Sequence, residues 1–173
     1  MVLIAGVIAV LGTAITATLT YALSQRASRR ERQVKSFADA LAAVEDYAEL
    51  PYRVRRRLTS DEARHTLTEE ISRVQARIAF HQGWLQIEAP HVAVRYDQLV
   101  RAAKRQAGGQ MKEAWELSPV QADAAMSLGV AYPRTEIDRA RRKCLAAMRE
   151  MVGPMPRPHS TVGPRRVRFQ ELP

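Results

Sequence analysis

The chain has 173 residues, with 27 basic against 18 acidic side chains and a net charge of +9. That length matches one domain of ordinary size. The single cysteine, Cys144, excludes an internal disulfide framework and suits a reducing compartment.

Val2 to Leu23 holds no charged side chain. At about 1.5 Å of rise per residue such a helix reaches about 33 Å, the thickness of bilayer hydrocarbon. Thr13, Thr16, Thr18 and Thr20 fall in this stretch; their hydroxyls can bond back to helix carbonyls, so they cross lipid at modest cost. Tyr21 stands where an amphipathic ring suits the headgroup region. The stretch therefore reads as a transmembrane helix. Two other readings stay open: a cleaved signal peptide ending near Ala22-Leu23-Ser24, and a long buried helix of a soluble protein. No Lys or Arg precedes the apolar run, which argues against the signal peptide.

Arg26, Arg29, Arg30, Arg32 and Lys35 follow, against one acid, Glu31. Positive charge is retained on the cytoplasmic side, so the expected topology is a single-pass cell-membrane protein with its N-terminus outside and its C-terminal domain in the cytosol. The same collar, with Tyr21, is the candidate membrane-interface and lipid-contacting set. Ala5, Ala9, Thr13 and Ala17 recur every four residues, and small residues at that spacing let helices associate closely. Gln25 to Leu50 contains no Pro or Gly and continues the helix. Val34, Phe37, Leu41, Val44 and Ala48 form a heptad-like seam that implies a partner helix. The self-association candidates are thus Ala5, Ala9, Thr13, Ala17, Val34, Phe37, Leu41 and Val44. Pro51 is expected to kink or end this helix, leaving Arg53, Arg55, Arg56 and Arg57 at a solvated helix end.

Thr59 or Ser60 suits an N-cap, with Asp61 and Glu62 in the first turn. The next helix is expected to reach about Glu88, with Leu67, Ile71, Val74, Ile78, His81 and Leu85 as its buried stripe and Trp84 and Ile87 extending it. Pro90 marks a break. A third helix follows from about His91 to Leu117, with Gly108-Gly109 as a kink or a turn. Ser118-Pro119 opens a short helix to Leu128, stopped by Gly129. Pro133 opens the last helix, through about Val152, with Ile137, Cys144, Met148 and Met151 inward. Beyond Gly153 the prolines and glycines predict a disordered tail.

The expected fold is therefore all-α: one N-terminal transmembrane helix, a cytosolic antiparallel bundle of three to four helices, and a disordered C-terminal tail. By segment, residues 1–23 form the membrane helix and 24–58 a basic juxtamembrane helix. Residues 59–152 form the bundle and 153–173 the Pro/Arg-rich tail.

The chemistry is sparse. No zinc-protease, nucleotide-loop, nucleophile-elbow or CxxC motif occurs. His65 and Glu69 are four apart and share a helix face, but a metal site needs further ligands. His81 falls on the apolar stripe, where a buried, hydrogen-bonded histidine near Trp84 is the first reading and a catalytic role the second. Cys144 reads as a small core residue. No enzyme activity, cofactor, metal or small-molecule substrate is implied.

Residues 121–143 resemble a bacterial helix-turn-helix: Ala125, then Leu128-Gly129-Val130 at the turn, then Thr135 and Ile137. The resemblance implies DNA binding through Arg139, Arg141, Arg142 and Lys143, which would face phosphates. Glu136 sets the second half one residue late, and Pro133 falls inside the turn. Arg165, Arg166 and Arg168 in the tail join this nucleic-acid set. The leading expectation is a membrane-anchored interaction or scaffold module, with the bilayer and a protein partner or second copy as its contacts. A membrane-tethered nucleic-acid-binding protein, using residues 119–152 and the tail, is the alternative.

Overall fold

A computed structural model describes the backbone of residues 2–126, 129 and 131–153, and the side chains of residues 18–122, 124–126, 129 and 131–153. Four helices account for the described fold: α1 (Val2–Arg55), α2 (Asp61–Glu88), α3 (Pro90–Glu116) and α4 (Thr135–Val152). Among the described residues there is no strand, only one isolated parallel bridge between Leu58 and Val120. α1 and α3 form a central pair, each packed against all the other helices, while α2 and α4 flank that pair without meeting. Cross-helix contacts fix the directions. Arg53 pairs with Glu70 and Arg77 with Asp46, so α2 runs against α1. Tyr96 bonds Ala40 and Arg57 bonds Ala114, so α3 runs with α1. Arg134 pairs with Glu45 and Arg30 bonds Gly153, so α4 runs against both.

The expected membrane span finds no support here. Among the described residues, no helix is long and apolar enough to cross a membrane. The part of α1 whose side chains are described, from residue 18 onward, carries Arg26, Arg29, Arg30, Arg32 and Lys35. The side chains of residues 1–17, which make up most of the expected span, lie outside the described residues, as does the tail from residue 154.

Three local expectations are corrected. Pro51 does not end α1, which runs through it to Arg55. Proline lacks an N–H and so leaves the Tyr47 carbonyl without its usual helical donor. That loss is offset by burial of Leu50, Pro51 and Val54 against the core. Gly108-Gly109 does not break α3 either. A methyl group built on Gly108 would lie 3.4 Å from the Tyr47 hydroxyl oxygen, whereas one on Gly109 meets nothing within 4 Å. Gly109→Ala is therefore expected to stabilise the fold by about 1 kcal/mol through helix propensity alone. Thermal unfolding of the variant checks this. Third, the expected helix after Ser118-Pro119 is only a 3-10 turn at Asp123–Ala125, and α4 opens at Thr135 rather than Pro133.

Two further expectations, the α2 cap and the α2 stripe, hold for physical reasons visible in the sequence. Ser60 caps α2 by accepting from the Ala63 N–H at 3.1 Å. Leu67, Val74, Ile78, His81 and Leu85 are buried at helical spacing. Ile87 departs from its expected place on the stripe and is 80 % exposed. On α4, Ile137, Cys144 and Met148 are buried, but Met151 faces outward.

Candidate functional site

The distinctive region is the end of the bundle from which α1 projects. Residues 18–29 of α1 are all exposed, so this part of the helix is a stem with no bundle helix beside it among the described residues. Leu19, Tyr21 and Leu23 are 62 %, 68 % and 57 % exposed. Where the stem enters the bundle, Phe37 meets Trp84 of α2 edge to face at 6.2 Å. His91 Nε2 at the start of α3 lies 3.8 Å from Glu150 Oε2 near the end of α4. Arg30 Nη2 donates to the Gly153 carbonyl at 3.3 Å, tying the stem to the last residue after α4.

Two depressions flank the stem here. One, of about 640 Å³, lies between α1 and α4; Val34, Phe37 and Leu41 face Leu145, Met148 and Val152, with Arg30 and Arg149 at its rim. The other, of about 590 Å³, is polar and lies between α1 and α2, among Arg29, Arg32, Gln33, Ser36, Trp84 and Glu88. The first has the volume and apolar walls of a ligand pocket with few charged groups.

The structure distributes the basic collar around the stem. Arg26, Arg29, Arg32 and Lys35 are exposed, Arg30 is half-buried, and Tyr21 lies above them on the exposed helix. The side chains of Ala5, Ala9, Thr13 and Ala17 lie outside the described residues. The seam expected to meet another molecule is largely consumed within the chain: Phe37, Val44 and Ala48 are buried in the core. Only Leu41, half-buried, and Val34, 47 % exposed, remain at the surface.

The helix-turn-helix expectation loses its first helix, since the described residues between Leu117 and Thr135 hold only the 3-10 turn. Arg141 does not stand free for a phosphate; its Nε lies 3.0 Å from Glu45 Oε1 on α1. Arg139, Arg142 and Lys143 are exposed, and Arg139 and Lys143 share a shallow surface depression with Glu136. Arg165, Arg166 and Arg168 lie outside the described residues.

Two arginines carry roles that the sequence did not disclose. Arg134 binds Glu45, with Glu49 at 3.8 Å and Asp138 at 4.0 Å around it. The hydrogen bond to Glu45 holds its guanidinium charged, above the ordinary arginine range, against the effect of burial. Arg57 reaches across to the end of α3. Its Nη1 donates to Val54 O at 2.9 Å and Ala114 O at 2.8 Å, and its Nη2 to Trp115 O at 3.0 Å and to Leu117 O. The same guanidinium lies 4.7 Å from the Trp115 ring centroid. It thus caps carbonyls that a helix end leaves without partners.

His81 is buried, and its ring meets Phe80 edge to face at 5.2 Å. The hydrogen bond expected for it is missing at Nδ1, which has no partner. Burial lowers its pKa below the ordinary histidine value, with Asp39 pulling upward and Arg77 adding to the depression. Because the unfolded chain binds this proton more readily, stability falls as pH drops through the ordinary range near 6.5 and on through the lower folded value. His81→Leu is expected to remove that contribution and to stabilise the fold at neutral pH by about 1 kcal/mol, since it relieves an unpaired buried nitrogen. Urea unfolding of both proteins at pH 7.5 and 5 checks it; an unchanged pH slope would contradict the assignment.

Cys144 is fully buried, and burial pushes its thiol up to about 12, which keeps it protonated and unreactive. Glu69, the possible partner of His65 in a metal site, instead pairs with Arg73 at 3.0 Å. Among the described residues no group of three or more His, Cys, Asp or Glu could hold a metal ion.

Comparison with known proteins finds no matching family model, no matching curated protein and no matching solved structure.

Proposed function

We propose that the chain is a helical interaction module, anchored to a membrane in a single pass through the N-terminal part of α1, with its bundle on the cytosolic side. The observation that carries this reading is the stem. An exposed helix with Leu19, Tyr21 and Leu23 at its surface continues directly from a charge-free stretch of bilayer length. Helices in proteins gain most of their stability from packing, so a stem that leaves the bundle gains from lipid or another helix around it. The basic collar beneath it matches an anionic cytoplasmic leaflet. Interaction, rather than catalysis, is favoured by the chain's chemistry, because its buried ionisable groups serve packing and helix capping.

In vesicles the full chain is expected to resist extraction by alkaline carbonate. Release into the supernatant would overturn the anchor. Gently solubilised protein is expected to run as an oligomer or with a bound partner, by way of the small-residue face at Ala5, Ala9, Thr13 and Ala17. A monodisperse monomer would overturn the interaction half of the proposal.

A further inference from the structure

We propose that the slot between α1 and α4 holds an acyl chain of an anionic phospholipid drawn from the membrane in which the stem is anchored; this rests on the anchored reading above. The walls decide the class of occupant. Val34, Phe37 and Leu41 on one side and Leu145, Met148 and Val152 on the other present hydrocarbon and a thioether, which favour an apolar chain over a polar solute.

The rim decides the headgroup. Arg30 and Arg149 border the slot, and Glu150 is the one acid among the described residues that line it, with its carboxylate turned toward His91. The bond from Arg30 to the Gly153 carbonyl holds that guanidinium at the mouth. A phosphodiester placed there meets two cations that bind it well.

Position supplies the lipid. Arg30 lies seven residues beyond Leu23, about 10 Å of helix rise, so the mouth stands just above the headgroup layer. Charge disfavours the two other candidate occupants. The chain's own segment 154–173 brings Arg157, Arg165, Arg166 and Arg168 against one acid, Glu171, and a second copy would bring another basic collar. Both approach a basic rim with like charge.

Trp84 reports on the slot because it packs on Phe37, which lines it, while Trp115 lies at the opposite end of the bundle against Arg57. The test uses the full chain carrying Trp115→Phe, reconstituted in vesicles whose brominated acyl chains belong either to phosphatidylglycerol or to phosphatidylcholine. Trp84 emission is expected to fall at least twofold further with brominated phosphatidylglycerol. Ala38→Phe, at an exposed position beside the slot, is expected to abolish that difference. Arg30→Gln and Arg149→Gln are each expected to weaken the phosphatidylglycerol dependence about fivefold. Circular dichroism of each variant verifies folding, and wild-type protein repeats the measurement with both tryptophans.

Equal quenching by the two lipids, or selective quenching that survives Ala38→Phe, would overturn the proposal. Selective quenching that appears only after residues 154–173 are removed would assign the slot to the tail. Quenching lost as protein density rises in the membrane would assign it to a second copy. A carbonate wash of the same vesicles separates the two readings. Retention without selective quenching overturns the slot alone, and release with selective quenching at neutral pH overturns the anchor alone.

Discussion

Tyr96→Ala is expected to destabilise the bundle by about 4 kcal/mol, a large share of the roughly 5–15 kcal/mol that holds a domain of this size together. Tyr96 is fully buried on α3, and its hydroxyl donates to the Ala40 carbonyl of α1 at 3.0 Å. Removing it empties an aromatic volume between the two central helices and deletes a cross-helix bond. Tyr96→Phe separates the two effects, since it retains the ring and is expected to cost about 1 kcal/mol. The phenol has an alkaline signature as well. Burial raises its pKa well above the ordinary tyrosine value. Its contribution is therefore complete below pH 10 and lost as pH rises beyond that, when the unfolded chain releases the proton first. Tyr96→Phe is expected to flatten the loss of stability above pH 10. Urea titrations of the three proteins at pH 7 and pH 10.5 check both statements.

Arg57→Ala is expected to cost about 3 kcal/mol. One guanidinium holds four carbonyls from the ends of α1 and α3 and stacks on Trp115. Hydrogen bonds to a charged donor contribute more than neutral ones, and their loss uncovers three carbonyls near the end of α3 together. Val120 N–H also bonds the Arg57 carbonyl at 2.9 Å, so loosening here propagates into the segment before α4. Arg57→Lys is expected to recover less than half of the loss, because a single ammonium cannot reproduce the planar fork. Recovery to near wild-type stability would show that charge alone suffices.

What the sequence disclosed about the fold follows from local rules. Ser60 with Asp61 and Glu62 marks the start of α2 because capping and helix-dipole effects act within one turn. The α2 stripe was readable because core contact recurs with the helix period. The misreadings occur where distant residues override local preference. Pro51 is held helical by burial among residues of the core, and the close approach of Tyr47 to Gly108 gives that glycine a place inside a continuous helix. Among the described residues between Pro119 and Thr135 there is only the 3-10 turn. Distant residues hold both ends of this segment: Val120 N–H bonds the Arg57 carbonyl, Tyr132 N–H bonds the Tyr52 hydroxyl at 2.9 Å, and the Pro133 carbonyl accepts from Gln110.

The candidate site was legible in part for the same reason. The collar from Arg26 to Lys35 is a run of charge, visible without a fold. The slot is not, because its two walls lie more than a hundred residues apart in sequence. Arg57 and Arg134 were equally hidden. Each looks like one more surface arginine until helices from elsewhere bring carbonyls or carboxylates to it. The seam from Val34 to Ala48 did announce a partner helix, but its partners lie in the same chain, and periodicity alone does not identify the molecule that covers a face.

In the anchored reading, α1 passes from lipid to water just after Leu23. A nitroxide scan of single-cysteine variants along residues 8–36, in vesicle-reconstituted full chain with Cys144 replaced by alanine, measures this directly. The anchored reading predicts high oxygen and low water-soluble relaxant accessibility up to about Leu23, then an abrupt reversal across Ser24 to Arg26. Uniform water accessibility from residue 8 onward would contradict it.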